Sequence, residues 1–163
     1  MNDKKNMKDT AVEYYEKVGL GNFVKTIIVV LALVFGVVGL VGWYSVSLIF
    51  AVVMSLPILF IVSFLYVIFG SLTITITSKE LVVAFRFFNR KKFFLSDIES
   101  CEQATTNGRT YHGVGMRYGV DGSLVYSTSF GSAVRITKAG EKPFVFSTNN
   151  PETVCQILST KNR

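Results

Sequence analysis

The most constraining feature of this chain is a stretch, residues 26–78, that contains no charged side chain. A soluble domain rarely leaves so long a run uncharged, because its surface turns need polar and charged groups. About 20 apolar residues cross the core of one bilayer, so the stretch has room for two crossings. The sequence therefore predicts an α-helical hairpin in a membrane.

The two predicted spans cover residues 26–44 and 46–69, with a short turn between them. All 17 Lys and Arg residues lie outside the spans and the turn. Because basic residues stay on the cytoplasmic side, the pattern predicts a multi-pass protein of the cytoplasmic membrane with both termini in the cytoplasm. The spans also lack the ionisable side chains that ion and proton pathways need, which argues against a transporter or channel.

Gly36, Gly39 and Gly42 recur at every third residue of the first span. Small residues let two membrane helices approach closely, so this face is predicted to pack on another helix. That helix is either the second span or the same helix of another copy in a homo-oligomer. The remaining interpretation is that glycine is simply frequent in membrane helices.

Residues 1–25 are predicted to form a cytoplasmic segment ahead of the hairpin. Thr10 and Glu13 have the spacing of a capping box, which favours a short interfacial helix that ends at Gly19 and Gly21. A disordered tail is the alternative.

The chain has 2 cysteines, Cys101 and Cys155, and 1 histidine. A structural zinc site needs about four nitrogen or sulfur ligands, so no metal site is predicted. A disulfide would require export of this half of the chain. Because the charge distribution places it in the cytoplasm, both cysteines are predicted to be reduced.

Residues 71–163 change to a pattern of period two. Apolar residues alternate with threonines from Leu72 to Thr77, as in a half-buried strand, and further short strands follow between turn signals. Near the end, Asn150 and Pro151 are the residue types preferred at a helix N-cap and first helical position. The prediction is an α+β, mainly β domain, in which a seven-stranded antiparallel barrel or sandwich is capped by a C-terminal helix.

Four short motifs occur in this half in a defined order. They are Leu95-Ser96-Asp97-Ile98, Gly113-Val114-Gly115-Met116-Arg117, the run from Gly131 to Ile136, and Ser147-Thr148-Asn149-Asn150-Pro151-Glu152. Together they resemble the bacterial pleckstrin-homology-like (PH-like) domains that are attached to membrane helices. The resemblance covers residues 71–160 and implies a PH-like fold. It implies less about function, because such folds serve as lipid readers, peptide readers and assembly modules.

The sequence contains no recognisable catalytic constellation. His112 stands in a polar loop, and no GxSxG or HExxH motif accompanies it. Gly113 and Gly115 begin a nucleotide-loop pattern that lacks its third glycine. Neither enzymatic activity nor a cofactor is therefore predicted.

The most informative polar cluster is basic and is interleaved with phenylalanines. Its members are Arg86, Phe88, Arg90, Lys91, Lys92 and Phe93. If strand 81–88 pairs antiparallel with the strand that leaves the membrane, the turn at 89–92 returns to the lipid headgroups. Basic side chains gain about 1 kcal/mol each beside an anionic leaflet, and aromatic rings favour the same interface. The hypothesis is that this hairpin binds lipid; the alternative is a solvated turn whose phenylalanines fill the core.

The predicted function is that of a non-catalytic, membrane-anchored binding or scaffold module. It would present a cytoplasmic PH-like domain to anionic lipid headgroups or to a protein partner. The alternative is an accessory subunit of a membrane enzyme or transporter complex, or a self-assembling scaffold. Nucleic acid is not a predicted partner, because the chain is tethered to a membrane, although the 12 Lys and Arg against 7 acidic residues in positions 79–163 could attract phosphates.

Overall fold

Two long helices dominate the first half of the protein. The computed structural model describes residues 11–45, 47–85, 89–107 and 113–161, and in it α1 (Asn22–Ser45) packs against α2 (Leu48–Phe69) as a hairpin. A helix satisfies its own backbone hydrogen bonds, so these uncharged sequences need no water around them. Within the described residues, Val24–Tyr44 is long and apolar enough to cross a membrane, and α2 adds a shorter apolar segment, Ser55–Phe64.

A strand, β1 (Val12–Gly19), precedes the hairpin and pairs antiparallel with β2 (Ser71–Thr77), which follows it. The chain therefore leaves the sheet at β1, forms the two helices, and returns to the same sheet at the neighbouring strand β2. The predicted interfacial helix is wrong over residues 12–19, whereas Thr10 of the capping box lies outside the described residues. The reason is tertiary, because Glu16 and Val18 are buried on the sheet and this pairing outweighs a local capping signal.

The remaining strands complete two sheets. They are β3 (Glu80–Phe85), β4 (Arg90–Phe94), β5 (Ile98–Thr106), β6 (Gly115–Tyr118), β7 (Leu124–Ser127), β8 (Gly131–Lys138) and β9 (Phe144–Ser147). The first sheet has four strands in the order β1-β2-β3-β4, and the second has five in the order β5-β8-β9-β7-β6. A short 3-10 helix, Leu95–Asp97, connects the two sheets.

The described residues thus form nine strands rather than the seven predicted, and one pair is not antiparallel. β7 and β9 run parallel, with Leu124 opposite Phe144, because the β8–β9 hairpin places its second strand beside β7. Helix α3 (Pro151–Lys161) follows, and its first turn is closed by the Val154 N–H, which donates to the Asn150 carbonyl at 3.1 Å. These elements are compatible with the predicted α+β class.

The two sheets and α3, which we call the β domain, share one hydrophobic core. Alternate residues of the first sheet, such as Ile74 and Val83, face aromatic residues of the second. Tyr126 and Phe144 meet edge to face with ring centroids 5.0 Å apart, and Val154 of α3 packs on the same cluster. Each fully buried side chain of this size contributes roughly 1.5–3 kcal/mol, so the core is the main source of stability.

A disulfide joins Cys101 of β5 to Cys155 of α3, with the Cα atoms 5.4 Å apart. The prediction of two reduced cysteines is therefore wrong. That prediction rested on the expected compartment, whereas the fold places α3 directly against β5. Closing a loop of 54 residues stabilises the folded state by about 4 kcal/mol in the chain-entropy account.

Candidate functional site

The strand register places the basic residues of β4 near the helices. We use the name helix end for the end of the β domain at Gly19 and Ser71. There β1 leads into α1, and β2 follows α2. Arg90 is the first residue of β4. It pairs with Ala84 of β3, which also pairs with Thr73 of β2, so Arg90 and Thr73 lie at the same height along the sheet. Along the strands, Arg90 lies about 7 Å from the helix end and Lys92 about 13 Å.

A second cation, Lys17 of β1, lies in the same cross-strand row as Arg90. Lys17 pairs with Thr73, Thr73 with Ala84, and Ala84 with Arg90, so the row crosses all four strands on one face of the sheet. Lys17 and Arg90 are both exposed at its two edges. Lys17 was not among the predicted lipid-binding residues, because the capping-box pattern favours a helix in this segment. The alternation of Tyr14, Glu16 and Val18 is the signal that indicates a strand.

The other predicted lipid-binding residues differ in exposure. Lys92 is exposed, and Lys91 is partly buried with its ammonium 5.9 Å from the centre of the Phe93 ring. Phe93 itself is buried in the core, so it is not available to lipid. Arg86 and Phe88 lie outside the described residues.

The edge strand of the second sheet, β6, approaches the start of β4. The side-chain amide of Asn89 lies 2.8 Å from the sulfur of Met116. Asn89 has a φ of 53°, a left-handed conformation that asparagine adopts more readily than most residues. The contact brings the edges of the two sheets together beside the basic residues.

An apolar cavity of about 390 Å³ lies between the helical hairpin and the second sheet. Its size falls in the range of small-molecule sites, roughly 300–1,000 Å³. One wall comes from α1 and α2, and the other from the chain around β6 and the end of β7. The lining residues are Leu20, Val24, Ile28, Leu31, Val62, Tyr66, Val114, Gly115, Met116 and Ser127.

The part of the helical wall that α1 contributes is one face of that helix. Val24, Ile28 and Leu31 recur at the spacing of successive helical turns, and all three belong to the segment Val24–Tyr44. The cavity therefore follows the apolar segment for about 10 Å, at 1.5 Å per residue. The cavity has no local sequence signal, because its two walls are formed by segments far apart in the chain.

Arg117 of β6 packs next to the cavity. Gly113 and Gly115 have φ values of 116° and 108°, and a Cβ atom at Gly113 would lie only 2.9 Å from a guanidinium nitrogen of Arg117. The two glycines thus leave room for the guanidinium, and Gly115 also lines the cavity. Burial lowers the pKa of Arg117, but an arginine remains cationic at neutral pH.

The three glycines of α1 have different surroundings. A Cβ atom at Gly39 would lie 3.7 Å from Cβ of Ser55 in α2, whereas one at Gly36 would meet nothing within 4 Å. Both glycines line a cavity of about 260 Å³ between the helices. Gly42 is buried, and its carbonyl accepts the N–H of Ser47 at 3.2 Å. Gly39 therefore faces the second helix of the hairpin, and Gly36 borders an open groove.

A buried polar cluster connects β1 to the start of α3. Oε2 of Glu16 accepts hydrogen bonds from the hydroxyls of Tyr14 at 2.8 Å and Thr148 at 2.5 Å, and Oε1 accepts the Asn149 N–H at 2.8 Å. Burial is the main cause of a raised pKa at Tyr14. Both carboxylate oxygens have donors, so this cluster holds elements together rather than offering a site to a ligand.

The described residues contain no group of three or more His, Cys, Asp or Glu side chains that could hold a metal ion. His112 lies outside them, and Cys101 and Cys155 are joined in the disulfide. Comparison of the chain with family models, curated proteins and solved structures finds no match.

Proposed function

We propose that this protein is a non-catalytic, membrane-anchored module of PH-like type that binds anionic lipid headgroups at its helix end. In this proposal both α1 and α2 cross the membrane, because residues 26–69 contain no charged side chain. The order of the motifs in residues 71–160, a series of strands and a final helix, supports the PH-like assignment.

One observation carries the lipid-binding proposal, namely the row that holds Lys17 and Arg90. The headgroup layer is about 5–8 Å thick on each side of a bilayer. A row about 7 Å from the end of the helices lies within that layer. Lys92 lies about 13 Å from the helix end and therefore outside the headgroup layer. Its distance from that layer is less than one Debye length, about 8 Å at physiological salt, so its charge still acts on the headgroups.

Graded charge reversal tests this proposal in the full-length protein. Arg90→Glu and Lys17→Glu change the headgroup row, Lys92→Glu changes a more distant position, and Lys79→Glu is a control of equal charge in the β2–β3 turn at the opposite end. The readout is the ratio of phosphatidylglycerol to phosphatidylcholine retained from mixed nanodiscs, measured by native mass spectrometry. Each reversal in the row is expected to lower the ratio at least roughly fivefold, the equivalent of about 1 kcal/mol.

The grading separates a site from a general charge effect. We expect a smaller decrease of the phosphatidylglycerol-to-phosphatidylcholine ratio for Lys92→Glu and no decrease for Lys79→Glu. Equal losses at all four positions would show that only net charge matters, and unchanged ratios for Arg90→Glu and Lys17→Glu would refute the lipid-binding row.

The side of the membrane is a separate part of the proposal. The positions of Lys and Arg favour the predicted arrangement, in which the β domain and both termini are cytoplasmic. One specific observation, the Cys101–Cys155 disulfide, favours the opposite side, because disulfides are rare in the cytosol. The lipid-binding row would face anionic headgroups in either arrangement, since the pairing of β1 with β2 keeps it at the helix end.

Two C-terminal fusions distinguish the arrangements. Green fluorescent protein becomes fluorescent only when it folds in the cytoplasm, and alkaline phosphatase becomes active only outside it. A fluorescent first fusion with an inactive second one supports the cytoplasmic arrangement. The reverse pair of results supports the side that the disulfide favours.

A further inference from the structure

We propose that the 390 Å³ cavity between the hairpin and the second sheet holds one acyl chain of an anionic membrane phospholipid. The inference deepens the proposed function and rests on it, because it requires α1 and α2 to lie in a bilayer. It adds a specific site for the apolar part of the lipid, which the basic row alone does not supply.

The composition of the cavity walls favours a hydrocarbon occupant. Val24, Ile28 and Leu31 of α1 form a continuous apolar strip, and Val62 of α2 faces the same space. The strip belongs to the segment that would cross the membrane, so the chains of surrounding lipids are the most abundant apolar groups that can reach it. An acyl chain in this space would exchange lipid contacts for protein contacts without exposing either to water.

The far wall explains why this would be a defined site rather than ordinary lipid contact. Val114 and Met116 belong to the β domain, outside the helical hairpin, and still line the same cavity. A chain that touches both walls is therefore held between the hairpin and the second sheet. Lipids elsewhere around α1 and α2 would contact only helices.

The charges beside the cavity favour an anionic headgroup. The Arg117 guanidinium packs against Gly115, which lines the cavity. Asn89, the residue directly before Arg90, contacts Met116, which also lines the cavity. Positive charge from both sheets therefore lies near the cavity wall and favours a lipid that carries a phosphate and a net negative charge. Arginine is well suited to this role, because its planar fork matches phosphate geometry.

A photocrosslinking experiment on the full-length protein tests the site. The probe is phosphatidylglycerol with a diazirine at the end of one acyl chain, placed in phosphatidylcholine nanodiscs and irradiated. We expect adducts on the peptide that contains Val114 and Met116, as well as on peptides of the helices. Adducts confined to the helices would overturn the proposal.

Matched tryptophan substitutions check that the adduct comes from the cavity. Ile28→Trp fills the cavity from α1, whereas Val30→Trp adds the same bulk at a 51% exposed position that does not line it. Met116→Trp and Tyr118→Trp form the corresponding pair on β6, in case a change in the hairpin affects folding. The two cavity-filling variants should lower the adduct at Val114, which all variants retain, roughly tenfold, the effect of about two displaced methylenes, and the controls should not.

Three further outcomes are decisive. Unchanged adducts in both Ile28→Trp and Met116→Trp would refute the cavity as the site. Equal adducts from a phosphatidylcholine probe would refute the anionic preference. If the charge reversals in the basic row have no effect while the adduct persists, the headgroup proposal fails and the acyl site stands.

Discussion

At the scale of single residues, the β domain depends on polar side chains that connect distant parts of the chain. Glu16 joins β1 to a segment more than a hundred residues later through two hydrogen bonds, from Thr148 and Asn149. Asp121 joins the turn after β6 to β8, since Oδ1 accepts the Ser123 hydroxyl at 2.6 Å and Oδ2 accepts Arg135 at 2.8 Å. Each carboxylate fixes the relative positions of two elements.

Glu16→Gln is expected to destabilise the protein by about 2–3 kcal/mol, because the amide N–H₂ that replaces Oε2 cannot accept the hydrogen bonds of the Tyr14 and Thr148 hydroxyls. Glu13→Gln on the same strand is the matched control. It removes an ion pair with Lys161 near the surface, so a loss of at most about 1 kcal/mol is expected. Denaturant midpoints of the full-length variants in micelles provide the measurement, and equal losses would contradict the assigned role of Glu16.

Asp121 should make the free energy of unfolding depend on pH in the acidic range. The hydrogen bond from the Ser123 hydroxyl is the main cause that lowers the pKa of Asp121 below its usual 3.8, and Arg135 lowers it further. Because the folded-state pKa lies below the unfolded one, the stabilisation is present above pH 3.8 and is lost as the pH falls through the folded-state value. Asp121→Asn should therefore be less stable than the unsubstituted protein at pH 7 and should approach it in stability in strong acid; a gap that does not change with pH would contradict this.

At the scale of elements, the helical hairpin is an insertion between two adjacent strands. β1 and β2 pair along their lengths, from Gly19 opposite Ser71 to Val12 opposite Thr77. The chain therefore cannot add β1 to the first sheet until the two ends of the hairpin have come together. This arrangement also fixes the sheet relative to the helices more firmly than a single connection would.

Replacement of residues 20–70 by an Asn-Gly turn tests that arrangement. A two-residue turn of this type closes antiparallel strands well, so the shortened chain should fold as a soluble domain with its disulfide intact. Residues 71–163 alone lack β1 and the Glu16 carboxylate, so they should unfold at lower denaturant concentration. Equal midpoints for the two chains would show that β1 adds nothing to the β domain.

At the scale of the whole molecule, local signals located most elements and long-range contacts determined the rest. The period-two pattern and the turn residues anticipated most of β2–β9, and Asn150 with Pro151 marked the start of α3. β1 was missed because its stabilising partners, Ser71–Thr77 and Thr148, lie far along the chain. The disulfide, the parallel β7–β9 pair and the cavity were missed for the same reason, since each depends on how separate elements meet.

The cross-strand row of Lys17 and Arg90 is also visible only at this scale. The interleaved basic and aromatic residues and the direction of the strands predict a basic hairpin, but the fold separates the residues of that cluster. Phe93 lies in the core, Lys92 stands farther from the helix end, and Lys17 comes from a segment assigned to another structure. Arg90 and Lys17 are therefore expected to contribute most of the lipid interaction.

The most direct test of the central claim is the depth of this row in a membrane. Isotope-labelled full-length protein in nanodiscs with nitroxide-labelled headgroups would report it through the broadening of backbone amide signals. We predict the strongest broadening at Lys17 and Arg90, less at Lys92 and least at Lys79, with an increase at Arg90 when phosphatidylglycerol replaces part of the phosphatidylcholine. Broadening at Lys79 equal to or greater than that at Arg90 would contradict the account.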